Sequence, residues 1–260
     1  MAFGLSVGAL WFAVTLVWLL SVRLRDVSIV DIFWGLGFVL CAWIYRFLGP
    51  EASLRQTVVL ALVTLWGVRL AAYIAWRHQG EDYRYQTMRA RVGDSFVVRS
   101  YFTVFLLQGA LVALIATPHL LLQAQEVTAP WGFTDNLGVV LFAIGFFFEA
   151  VGDWQMARFK SDPANRGKVM DRGLWAFTRH PNYFGDATVW WSFFAFALAA
   201  PGGVYTLPSV LFMNFLLLKV SGVALLEKTI TERRPEYADY IERTSAFLPW
   251  FPKRPQRGAA

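Results

Sequence analysis

The sequence predicts an all-α, polytopic membrane protein with seven transmembrane helices. Three observations carry that expectation. The 260 residues are 57% hydrophobic and only 16% charged, where soluble domains run nearer half apolar and a quarter charged. Apolar runs long enough to cross a bilayer recur along the chain, separated by charged or Pro/Gly-rich breaks. The Lys and Arg residues then fall on every second break, which is the charge asymmetry of membrane topology.

The first run, Phe3–Val22, has no basic segment before it and no small-residue cleavage site after it, so it reads as a helix rather than a signal peptide. The next runs are Val27–Leu48, Leu54–Trp76, Ser100–Leu122, Asn136–Ala157, Asn182–Ala199 and Tyr205–Leu226. Arg23 and Arg25, the group from Arg77 to Arg99, the group from Arg158 to Arg179, and the basic tail lie on one side. Little charge lies in the other loops, with no Lys or Arg from Pro118 to Asn136. That pattern puts the N-terminus outside and the C-terminus in the cytoplasm, with the chain in the inner membrane if the source is bacterial. No repeat or linker divides the chain, so 1–260 reads as one membrane domain. The net charge of +6 is loop charge of this kind, and no nucleic-acid partner is expected. The single cysteine, Cys41, excludes an intrachain disulfide.

Ionisable residues inside spans are costly and mark sites. Asp31 lies early in the second run, where it reads either as a functional carboxylate or as a helix-start charge at headgroup level. Glu149 and Asp153 are four apart and so share a helix face. Asn182 and Asp186 repeat that spacing, and Lys219 and Glu227 are eight apart. Tyr237 and Tyr240 follow in a short amphipathic segment. The loop from Trp76 to Asp94 interleaves Glu81, Asp82 and Arg84 with Tyr83 and Tyr85, and is either a solvated face or an ordered lid.

Between the fifth and sixth runs, Arg158, Lys160, Arg166, Lys168, Arg172 and Arg179 fall within 22 positions, ahead of a helix start at Pro181. Forked guanidinium donors and the free N–H groups of a helix start suit phosphate oxygens. Neither a Walker A pattern nor a complete dinucleotide glycine motif is present. His180 has no Cys or Ser partner in the motif, and neither HExxH nor paired His spacing occurs, so no catalytic metal is expected.

The motif DRGLW…TRHPNYFGD followed by WW resembles the C-terminal region of the steroid 5-alpha-reductase family. SIVDIFWGLGF, WGVRLAAYIAWRHQGEDYRY and the TSAFLPWF ending extend the likeness over most of the chain. Membrane methyltransferases carry a similar RHPxYxG, but Asn182, Tyr183 and Asp186 favour the reductases.

The resemblance implies a single-domain bacterial reductase with substrate-side helices in 1–122 and cofactor-binding helices and loops in 136–260. It implies NADPH as cofactor and reduction of the C4–C5 double bond of a 3-oxo-4-ene steroid, or of a similar enone lipid. By that likeness Glu149, Asp153, Arg158, Lys168, Arg172, Arg179, His180, Asn182, Tyr183, Asp186, Glu227, Tyr237 and Tyr240 hold the cofactor. Asp31, Tyr73 and Glu81 are the candidates for polarising the ketone, with Tyr85 as an alternative. The partners expected are a lipid substrate and the bilayer, the protein acting as a monomer. The competing enzyme class is an S-adenosylmethionine-dependent methyltransferase of the prenylcysteine or phospholipid type.

Overall fold

The structure is a computed structural model describing residues 2–49, 51–125, 130–220 and 237–253. Among the described residues every regular element is helical. The helices are α1 (Ala2–Leu24), α2 (Ile29–Leu48), α3 (Leu54–Arg77), α4 (Tyr83–Val92), α5 (Phe96–Ser100), α6 (Leu107–Ile115), α7 (Thr117–Gln123), α8 (Phe133–Ser161), α9 (Pro181–Ala197), α10 (Leu207–Phe215) and α11 (Tyr237–Arg243). A π turn, Tyr101–Leu106, joins α5 to α6, and another, Leu216–Val220, follows α10.

Six helical stretches among the described residues are long and apolar enough to cross a membrane, so the chain is a multi-pass membrane protein. They are Gly4–Leu24, Ile29–Leu48, Leu54–Arg77, Tyr83–Ile115, Phe133–Ser161 and Gly203–Val220. The stretch expected as a span near Asn182–Ala199 is a 17-residue helix, α9. The loop expected at Trp76–Asp94 is partly helical instead. Asp82 accepts from the Arg84 N–H at 2.9 Å and caps α4, and Gly93, at φ 67°, ends it.

The chain forms two compact units. The first comprises Met1–Asp135 with Phe196–Ser209. Here α2 and α3 cross at Gly35 and Gly67, where an added Cβ on Gly35 would come within 2.6 Å of the Gly67 carbonyl oxygen. Small residues let membrane helices approach this closely. Phe38, Trp66 and His119 are fully buried beside the crossing, their rings 5.6 and 6.4 Å from that of Phe38. At the start of α3, Ser53 and Gln56 form a reciprocal capping box. Next to it Arg55 donates to Asp135 at 2.5 and 2.7 Å, both side chains being almost wholly buried.

The second unit comprises Asn136–Ala195 with Val210–Ala260. Its organising contact is also a glycine crossing. An added Cβ on Gly185 of α9 would meet Gly145 O at 2.5 Å and the Glu149 amide nitrogen of α8. Phe142, Phe193 and Trp190 pack on one side of that crossing, and Phe148 meets Phe184 edge-on at 5.0 Å.

Candidate functional site

Each unit has its own polar cluster. In the first unit it forms around Asp31, in the first turn of α2. Three donors converge on that carboxylate. The Tyr85 hydroxyl donates to Oδ1 at 2.9 Å, Arg84 Nη2 donates to Oδ2 at 2.9 Å, and Gln108 Nε2 donates to Oδ1 at 3.2 Å. Gln108 Nε2 also lies 3.4 Å from the Tyr85 oxygen, and the Arg84 guanidinium sits 5.4 Å from the Tyr85 ring centre. Gln108 comes two residues after the π turn, and such turns recur at functional sites.

A latch beside the cluster fixes α4. Glu81 accepts from the Val27 N–H at 3.0 Å and from Arg89 at 2.7 and 3.0 Å. The Asp82 N–H donates to Ser28 Oγ at 2.6 Å, and His78 Nε2 meets Asp26 at 2.7 Å. Burial opposes the Asp82 charge, but hydrogen bonds from the Arg84 side chain and backbone outweigh it and hold the carboxyl below its ordinary range.

In the second unit α8 supplies Glu149 and Asp153, which are 3% and 5% exposed. Asn182, in the first turn of α9, donates to Asp153 Oδ1 at 3.2 Å. His180 and Tyr183 stack with ring centres 5.6 Å apart and planes 12° off parallel. One turn and more beyond Asp153, a cleft of ≈ 430 Å³ opens beside α8. Arg158 and Arg172 line it together with Trp154, Phe159, Asn165 and Asp162. The Arg158 guanidinium lies 5.6 Å from the Trp154 ring centre.

A family model described as "Protein of unknown function (DUF1295)" matches residues 17–244. The chain belongs to the DUF1295 family. An uncharacterised protein of Schizosaccharomyces pombe is 26% identical over 260 aligned residues, which cover 89% of this chain and 75% of that protein. A probable O-methyltransferase of Ustilaginoidea virens is 37% identical over 75 residues, 29% of this chain and 25% of its own length. No solved structure matches.

In this DUF1295 chain the residues singled out in the sequence fall into several separate sets of contacts. Asp31 does meet a tyrosine, but it is Tyr85. Tyr73 lies on α3 between Arg69 and Arg77, whose guanidinium carbons are 5.3 and 5.4 Å from its ring centre. Glu81 belongs to the latch. Arg179, expected on the cofactor, donates from Nη1 to the carbonyls of Ile241 and Thr244 at 3.0 and 2.5 Å, and its N–H donates to Ser245 O. Tyr240 donates to Trp175 O at 2.5 Å and packs edge-on against Tyr237. Burial pushes the Tyr240 phenol well above its ordinary pKa. Arg179 and Tyr240 thus hold α11 and the segment after it onto residues 175–179, and Tyr237 packs against Tyr240 within α11. Asp186 is half-buried on α9, and Lys168 lies in the loop before Asp171. Glu227 lies outside the described residues. Gln108 had no signal in sequence, being a neutral residue within an apolar run.

Proposed function

We propose that this DUF1295 protein is an NADPH-dependent reductase of the C4–C5 double bond of a 3-oxo-4-ene steroid or similar enone lipid. The observation that carries the reading is the Tyr85–Asp31 pair. A phenol on the polar helix α4, held at 2.9 Å from a carboxylate in the first turn of the apolar helix α2, is the neutral acid that a carbonyl substrate needs.

The residues of the second unit suit the cofactor. Two arginines beside Trp154 and Phe159 in a ≈ 430 Å³ cleft offer forked donors for phosphates and ring faces for a base. Asp153 and Asn182 suit the hydroxyl and amide groups of its other end. When bound, NADPH supplies the hydride that adds to the substrate's beta carbon.

The protein's own part is electrostatic. As the beta carbon gains the hydride, an electron pair moves onto the carbonyl oxygen. Rotation of the Tyr85 O–H from Asp31 toward that oxygen gives the charge a donor. Arg84 and Gln108 remain on Asp31 meanwhile, so the carboxylate keeps two donors when the phenol turns away. Tyr85 keeps its proton as a hydrogen-bond donor, and the alpha carbon then takes a proton from water, which completes the addition of hydride and proton across the double bond. A donor of this kind contributes a few kcal/mol, on the order of 100-fold in rate.

A second reading, methyl transfer from S-adenosylmethionine, is favoured by the 75-residue likeness to a probable O-methyltransferase. Titration of purified protein separates the two. Saturable enhancement of nicotinamide fluorescence by NADPH, with no binding of S-adenosylmethionine, supports the reductase. The reverse pattern ends it.

A further inference from the structure

The segment after α11 is held firmly and yet is strongly apolar on its outside. Leu248, Trp250 and Phe251 are 66%, 73% and 76% exposed. Their backbone is nevertheless fixed by hydrogen bonds. The Trp250 N–H donates to Phe177 O at 2.9 Å, Thr178 Oγ1 donates to Phe247 O at 2.9 Å, and the Lys253 N–H donates to Arg243 O at 2.9 Å. Large apolar side chains presented on a fixed, non-helical backbone mark a surface that something covers.

Beneath them is a cavity of ≈ 380 Å³ lined by Phe148, Leu174, Phe177, Pro249, Trp250 and Phe251, with no charged side chain. Phe148 identifies the surroundings. It lies on the membrane-crossing helix α8, thirteen residues before Ser161, or about 20 Å along the helix. The residue beside it, Phe147, continues an exposed apolar face with Ile144 and Val140. The cavity therefore adjoins the exposed apolar face of a helix long and apolar enough to cross a membrane. Irregular backbone beside such a face needs its polar groups satisfied within the protein, as the bonds to Phe177 and Phe247 do. Lys253 is exposed two positions after Phe251, and tryptophan and lysine are residues of the headgroup level.

We propose that the 245–253 segment is a lipid-binding edge: its cavity takes an acyl chain of a bilayer phospholipid, and Lys253 faces that lipid's phosphate. The fixed backbone, the all-apolar lining and the continuity with α8 each follow from that occupant. A protein partner would explain the exposed side chains but not the cavity's place beside the exposed face of a membrane span.

The test uses the full chain in phospholipid vesicles. Cys41, the one native thiol, is buried, so Phe251→Cys or Leu248→Cys takes a bimane label selectively. Brominated acyl chains quench by contact. A lipid-facing label loses about half or more of its emission in vesicles of chain-brominated phospholipid while resisting aqueous iodide, as for a side chain seated below the headgroups. Quenching by iodide with none by the brominated lipid would overturn the proposal. Protection from both quenchers at both positions would overturn it equally, since protein would then cover the surface.

Discussion

The Tyr85 hydroxyl donates to Asp31 Oδ1 across 2.9 Å and 54 positions of sequence. The pair joins the polar helix α4 to the first turn of α2, and it gives the first unit an O–H donor with a charged partner. Removing that O–H by Tyr85→Phe keeps the ring and its contact with Arg84. The expected result is a loss on the order of 100-fold in kcat for enone reduction, with cofactor affinity unchanged. Tyr73→Phe, on the other side of the assignment, leaves turnover within the scatter of wild type. Steady-state kinetics with parallel NADPH titrations reads both.

Arg158 and Arg172 line the cleft of the second unit. Truncating either to Ala removes a charge-assisted contact worth roughly 1.5–3 kcal/mol, so NADPH binding weakens by about 10–100-fold. Thermal stability changes little, because neither guanidinium supports the fold as that of Arg179 does. Fluorescence titration beside a melting curve separates the two effects. If the adenosine 2′-phosphate is what these arginines hold, the loss is larger for NADPH than for NADH, and if the shared pyrophosphate is, the two losses match.

Gly185→Ala tests the helix crossing. The new methyl would stand 2.5 Å from the Gly145 carbonyl oxygen and against the backbone of Glu149, neither of which can rotate away. α8 and α9 must part, at about 1–3 kcal/mol. Asn182 and Asp153 lie on those two helices, so cofactor affinity falls together with the melting temperature. A variant that melts normally and binds normally would show that the crossing is looser than described.

Arg55 and Asp135 form a buried ion pair, at 3% and 0% side-chain exposure. Asp135→Asn leaves the guanidinium buried with its main partner neutralised, and costs about 3–5 kcal/mol. The double change Arg55→Met with Asp135→Leu costs less than this single change, since no unpaired charge remains. Detergent-solubilised melting curves of the three proteins check the order.

Asp82 gives a pH signature. Its carboxyl is held below the ordinary range when folded, so its charge stabilises α4 above the unfolded pKa, about 4, and that contribution disappears as pH falls through the folded value. Asp82→Asn keeps a capping side chain but not the charge. The wild type therefore melts higher than the variant near neutral pH, and the difference closes below about pH 4. A difference that persisted in acid would place the effect elsewhere.

Much of this architecture was legible in the sequence because bilayer crossing is a local property. Runs of apolar residues near Phe3–Val22, Val27–Leu48 and Leu54–Trp76 reappear as α1 to α3, with ends moved by a few residues. Pro181 marks the start of α9 as expected. In the candidate site, Asp31, the arginines of the basic loop and the polar pairs that share a helix face stood out in the sequence as charged groups in or beside apolar runs. Glu149 and Asp153 are such a pair, and both prove deeply buried.

Contacts between distant segments left no such trace. Tyr85 stands in a mixed-charge stretch that reads equally well as a solvated loop, and only folding brings it to Asp31. Arg179 belongs to a basic run, and nothing in composition distinguishes an arginine that binds phosphate from one that binds carbonyls. Its partners, Ile241 and Thr244, lie 62 and 65 positions away. The sixth expected span, Asn182–Ala199, corresponds to α9, which ends two residues earlier, at Ala197.

Hydride transfer itself is the most direct measurement. Purified protein in phospholipid vesicles is supplied with NADPH deuterated at the transferable position and with a 3-oxo-4-ene steroid, and the product is analysed by mass spectrometry. Reduction of the enone with deuterium at the former beta carbon is the expected result. Recovery of unreduced steroid from protein that binds S-adenosylmethionine and not NADPH would contradict it.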